Sequence, residues 1–280
     1  MSLFFNQWYS ELLKLFARRR TYIGFGAFVA LQVLLFLIFR KSGPPMKSII
    51  SGSGENMSYY LSALTFAGFI MGASVFLLGA LFLSLVAGDI VAKEGEDGHM
   101  RLLLARPVSR FRMLLLKYLT CLLYSVLMVQ FIAWSAFILG LVQYGWGGGY
   151  FAWVRDISLV AFYDWGPGLQ RYAGVSIALG LSMMTISSVA FFLSCFPIKP
   201  AAATIGALAY FLADFIVREG NFMDHHQYLL ITRHMAVWAR ILAENIEWPL
   251  VVRGYTVLFT VNITLFTLGY AVFESRDLKS

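Results

Sequence analysis

Apolar residues fall in six long runs along this chain, and short polar stretches separate them. The runs are about Thr21–Phe39, Tyr60–Ala87, Met113–Val142, Tyr172–Phe196, Ala201–Val217 and Gly254–Phe273. A helix that crosses a bilayer needs about 20 mostly apolar residues. Each run comes close to that length or exceeds it. The pattern predicts an all-α, polytopic membrane protein with six transmembrane helices in one membrane domain over residues 1–280.

The segments between the runs carry their own signals. Before the first run, Trp8, Leu12, Leu15 and Phe16 repeat at helical spacing, and Glu11, Lys14 and Arg18 lie off that face. Arg18, Arg19 and Arg20 follow as a basic block. This predicts an amphipathic helix lying on the inner leaflet. Gly43-Pro44-Pro45 and Ser51–Asn56 punctuate a polar connection. Gln143–Arg171 is rich in glycine and aromatic residues. Trp146, Tyr150, Trp153, Tyr163 and Trp165 are types that settle at headgroup level, so this segment is predicted as an outward interfacial loop. Pro197 and Pro200 mark a tight turn between the fourth and fifth runs. Within Arg218–Val252, Trp238, Ile241 and Leu242 predict a surface helix. Arg240 and Glu244 would pair along it, and Pro249 would end it.

Composition sharpens this picture. Hydrophobic residues make up 59% of the 280 and charged residues only 13%, where a soluble domain carries roughly 25%. Mean hydropathy is +0.72. The net charge of +7 suits anchoring at an anionic inner leaflet rather than nucleic acid, which is not an expected partner. An even number of spans puts both termini on one side. Of the 22 Lys and Arg, 13 fall on that side. The positive-inside rule then places both termini in the cytoplasm and the chain in the cell's inner or plasma membrane. Cys121 and Cys195 both fall inside predicted spans, outside any metal-ligand spacing.

One stretch stands out against the apolar background. Lys93–Arg112 holds five basic and three acidic side chains in twenty residues. Asp97 and Arg101 are spaced for an i, i+4 pair, with Met100, Leu103 and Leu104 on the apolar side. Pro107 stops that short helix, and Ser109 caps the one that enters the third span. The spacing predicts a helical hairpin under the membrane that could fit a groove on a partner.

Gly88–Leu119 resembles the permease subunits of ABC-2 type ATP-binding-cassette transporters. Glu94, Gly98, Leu102, Leu103, Pro107, Arg110 and Lys117 occupy the family's characteristic places. After Gly98 relatives carry Thr-Leu, where this chain has His99-Met100. The amphipathic amino-terminal helix is similar to the family's elbow helix. Phe191–Thr204 and Val272–Ser280 resemble its fourth-to-fifth turn and its tail. The resemblance implies a permease, an exporter in direction. It would pair with a second copy of itself or a homologous permease, above two separate ATP-binding subunits. Those subunits would hold ATP and Mg, and this chain would hold no cofactor and catalyse no reaction. The sequence has no G-x-x-x-x-G-K-[S/T] P-loop. Glu94 would meet the ATPase, with Gly98, Met100, Arg101, Leu103, Leu104, Pro107 and Arg110 forming the rest of the coupling element.

Other residues admit two readings. Asp214 and Arg218, four apart near a span end, suit a structural ion pair or a translocation role. His225, His226 and His234 near Asp224 suit solvated loop residues or a metal site. Gly68 and Gly72 form a G-x-x-x-G that suits a dimer contact or packing within the chain. Rival functions are an ion-coupled secondary transporter, a non-transporting scaffold or maturation subunit, and an intramembrane enzyme. The almost charge-free spans disfavour the first, and histidines confined to loops disfavour the last.

Overall fold

The computed structural model describes residues 3–17, 19–42, 57–96, 109–154, 159–220 and 227–275. It opens on helix α1 (Leu3–Ala17), which packs against the third span and leads through α2 (Arg19–Ser42) into the bundle. A one-turn helix α3 (Met57–Tyr60) precedes the second span. That span is α4 (Ala63–Ser74), a π-helical turn over Val75–Gly79, and α5 (Ala80–Glu96). Ser62 caps its start, its hydroxyl accepting from the Thr65 N–H. The third span is α6 (Arg110–Tyr144). It is followed by a hairpin of β1 (Tyr150–Val154) and β2 (Leu159–Tyr163), then by α7 (Trp165–Ser194) and α8 (Pro200–Glu219). A 3-10 turn over Gln227–Leu229 precedes α9 (Ile231–Met235) and a 3-10 stretch over Ala236–Leu242, and α10 (Trp248–Glu274) closes the bundle.

Six of these helices are long and apolar enough to cross a membrane. The chain is a multi-pass helical membrane protein. Helix α7 forms its centre. Of its apolar stretch 72% is buried, against 22% to 44% in the other five spans, and it packs on α5, α6, α8 and α10. Its composition explains the position. Ser182, Thr185, Ser187, Ser188 and Ser194 are buried along it. In lipid, small residues let helices approach, and hydroxyls bond across the gap. The Ser125 and Ser187 hydroxyls share a 2.6 Å hydrogen bond between α6 and α7. The Tyr118 hydroxyl lies 2.9 Å from that of Ser188 and donates to the Asn262 carbonyl at 2.9 Å, joining α6, α7 and α10. Cys121 and Cys195 are buried in the same core.

Four expectations change. The fold is helical but not purely so. The aromatic segment expected as a loop pairs as an antiparallel hairpin with Tyr150 opposite Tyr163, and Phe151 N–H donates to Thr65 Oγ1 at 2.8 Å. The aromatic residues and valines of both segments favour strand here. The fourth span begins at Trp165, not Tyr172. Pro167 sits in the first helical turn, where no N–H is needed. The second span runs on to Glu96, past Ala87, because Asp89 and Glu94 turn inward. The expected surface helix is a 3-10 stretch. Arg240 there pairs with Glu247 at 2.8 Å rather than with Glu244, and Pro249 lies in the first turn of α10.

Candidate functional site

Lys117 lies two turns into α6 with its side chain fully buried. A lysine is almost never buried so completely unless paired. Its Nζ donates to Glu94 Oε1 on α5 at 2.7 Å and to Glu11 Oε2 on α1 at 3.0 Å. The other Glu11 oxygen accepts from Lys14. Two carboxylates and two ammonium groups therefore balance in one cluster. It ties the amphipathic helix, the end of the second span and the start of the third.

The start of α6 is stitched further. The Ser109 hydroxyl accepts from the Arg112 N–H at 3.3 Å, as its capping position predicts. Arg110 Nη1 donates to the Glu274 carbonyl at 3.2 Å. That carbonyl belongs to the last turn of α10, where backbone acceptors lack helical partners and positive charge is favoured. The Arg112 guanidinium lies over the Phe4 ring, 5.8 Å from its centroid. Three elements thus converge on the first two turns of α6. This is the end of the bundle at which both α1 and the last turn of α10 sit. A groove of 340 Å³ opens there, with Asp89, Lys93 and Glu96 on one wall and Lys199, Pro200 and Thr204 on the other.

The structure sorts the predicted site residues. Glu94, expected to face a partner, turns inward, its side chain 10% exposed and held by Lys117. Arg110 is engaged with α10. Gly98, Met100, Arg101, Leu103, Leu104 and Pro107 lie outside the described residues. Asp214 and Arg218 grip the same backbone at the far end of the bundle. The Asp214 carboxylate accepts from Thr232 N–H at 2.8 Å and from Ile231 N–H at 3.4 Å, at the start of α9. Arg218 donates to the Thr232 carbonyl at 3.0 Å. Together they clamp α9 onto α8. His225 and His226 lie outside the described residues, and His234 Nε2 lies 2.9 Å from the Tyr228 carbonyl.

The sequence reading missed Glu11, which it placed off the buried face of α1. The signal was present in Lys117. A lysine within an apolar run needs a carboxylate, and Glu11 borders the face that α1 buries.

Glu11 carries a pH prediction. Burial raises its pKa, but Lys117 and Lys14 more than offset this, and the carboxyl is held below its usual value of 4.5. A depressed carboxyl stabilises the fold above its unfolded pKa, and that contribution is lost as pH falls through the folded value. Lowering the pH below about 4.5 should therefore destabilise the wild type more than Glu11→Gln. Thermal unfolding in detergent at pH 7 and pH 4 checks this. Equal losses in both proteins would contradict it.

The residues that build the cluster fall within or next to a region with known relatives. A family model described as "Protein of unknown function (DUF2705)" matches residues 46–278. The uncharacterized protein YhcI of Bacillus subtilis (strain 168) is 26% identical over 225 residues, covering 74% of this chain and 67% of that protein. Glu94 and Lys117 lie inside the family match, whereas Glu11 precedes it. With the model matching most of its length, the chain belongs to the DUF2705 family.

Proposed function

We propose that this chain is the membrane-spanning permease subunit of an ABC-2 type transporter, driven by a separate ATP-binding subunit and acting in export. The observation that carries the reading is the Glu11–Lys117–Glu94 cluster at the root of the charged 93–112 segment. A partner that moves this segment moves α5 and α6 together, because Lys117 bridges them, and α1 follows through Glu11. The elbow-like helix would lie on the cytoplasmic leaflet. The loop and the charged groove lined by Lys93, Glu96 and Lys199 would face the ATPase. ATP and Mg would be held by that partner alone. Two permease chains, identical or homologous, would enclose the path. Glu94 acts here by positioning the loop.

The secondary-transporter reading needs ionisable groups deep in the spans. Among the described residues the buried charged side chains are Asp89, Glu94, Lys117 and Asp214. At 1.5 Å per residue all four sit within about 10 Å of a helix end.

The test uses the chain reconstituted with an ATP-binding-cassette ATPase that co-purifies with it. The permease should stimulate ATP hydrolysis. Glu94→Gln, which keeps shape but removes charge, should lower the stimulation about tenfold, a usual size for coupling between sites. Stimulation unchanged by Glu94→Gln would overturn the role given to the cluster. ATPase activity indifferent to the permease would overturn the permease reading.

A further inference from the structure

A groove of 540 Å³ opens on the hairpin side of the bundle, outside the ion cluster. This lies within the range of about 300–1,000 Å³ found for small-molecule pockets. One wall is a single face of the second span: Thr65, Gly68, Phe69, Gly72, Ala73 and Phe76, at helical spacing. The hairpin supplies Tyr150 and Trp153, α7 supplies Val175 and Leu179, and the 3-10 stretch supplies Trp238. Among the described residues no charged one lines it.

Three features identify an occupant. The first is length. Eleven residues separate Thr65 from Phe76, so the wall runs about 16 Å at 1.5 Å per residue. A bilayer's hydrocarbon core is about 30 Å thick, so the groove spans about one leaflet, the depth of one acyl chain. The second is access. Trp153 and Trp238, types that favour the headgroup level, line the groove. Phe76, the last residue of the second-span wall, is 68% exposed on a membrane span, edge-on to Phe215 of α8. The third is an unanswered polar group. Tyr150 is 3% exposed and lines the groove, yet its hydroxyl makes no hydrogen bond among the described residues. A hydroxyl that opens into an apolar groove gains from an acceptor placed there.

We propose that the groove holds one acyl chain of a membrane lipid, taken from the bilayer, whose ester carbonyl accepts a hydrogen bond from the Tyr150 hydroxyl. The π-helical turn at Val75–Gly79 carries Phe76, the last residue of the wall. Such turns often occur where a helix serves a ligand. The G-x-x-x-G pair serves this groove. Gly68 admits the Tyr150 ring, whose hydroxyl would sit 3.0 Å from a Cβ there, while a Cβ at Gly72 would meet nothing within 4 Å. The inference does not rest on the permease reading.

Gly72 gives a direct test, because a side chain there fills the groove without striking the protein. The wild type is reconstituted in phosphatidylcholine vesicles containing a phosphatidylcholine with a photoreactive diazirine on one acyl chain. Labelled residues are then mapped by mass spectrometry. Labelling should concentrate on residues 65–76 and the hairpin strands. Gly72→Leu should reduce it at least about fivefold, and Tyr150→Phe about threefold to tenfold, the worth of one hydrogen bond. Gly26→Leu, where a Cβ also meets nothing within 4 Å, controls for a leucine added to a span and should leave labelling unchanged. Labelling spread evenly over exposed positions such as Leu37 and Ile205 would mean ordinary surrounding lipid and would overturn the proposal. So would unchanged labelling in Gly72→Leu.

Discussion

Replacing Lys117 with methionine should destabilise the protein by about 3–5 kcal/mol, the usual cost of removing one partner from a buried ion pair. Methionine fills much the same volume, so packing changes little. The loss is electrostatic. Glu94 and Glu11 would be left facing each other across the Lys117 site, both largely buried and both deprived of their shared cation. The triple variant Glu11→Gln, Glu94→Gln, Lys117→Met should recover most of that stability, because replacing a whole buried ion cluster by neutral groups is often near neutral. Denaturant unfolding in detergent measures both. A single variant as stable as wild type, or a triple variant no better than the single, would contradict the account. The same geometry makes Glu94→Lys a poor probe of coupling, since it would set two cations face to face and disturb folding.

The second large effect is steric. Gly140 of α6 lies where a Cβ would overlap the Ala63 carbonyl at the start of α4. The obstacle is backbone, so no rotamer change relieves it. Gly140→Ala should push α4 from α6 and cost about 1–3 kcal/mol, as overpacking does. Gly72→Ala, which meets open space, should change stability by less than about 1 kcal/mol, helix propensity alone favouring it. Comparing the two midpoints under identical conditions separates tight packing from simple loss of glycine. Equal effects would mean that the α4–α6 approach at Gly140 is not a limiting contact.

Much of the architecture was legible because membrane spans announce themselves through long apolar runs. All six appear, and the turn at Pro197–Pro200 and the cap at Ser109 are where residue chemistry places them. The boundaries moved where charge or proline misled. Asp89 and Glu94 looked like loop residues, yet each is buried on a continuing helix. Pro249 looked like a breaker, yet it sits in a first turn, where proline is tolerated. The hairpin was hidden because its strands are only five residues each and lie among glycines. The candidate site was half visible. Glu94 and Lys117 were noted separately. Their pairing, and the third member Glu11 more than 100 positions from Lys117 along the chain, follow from how α1 packs on α6. Single-sequence spacing does not carry that contact. Asp214 and Arg218 were singled out for their spacing as an ion pair or a translocation pair, but their common target, the backbone at Ile231–Thr232, is tertiary.

The central claim is that this chain works with an ATP-hydrolysing partner beneath its charged end. Purification from its native membrane in mild detergent, followed by mass measurement of the intact complex, tests it most directly. The account predicts a complex of two permease chains with two P-loop ATPase subunits, lost when residues 97–108 are replaced by a glycine-serine linker. A well-folded chain that leaves the membrane with no ATPase bound would contradict it.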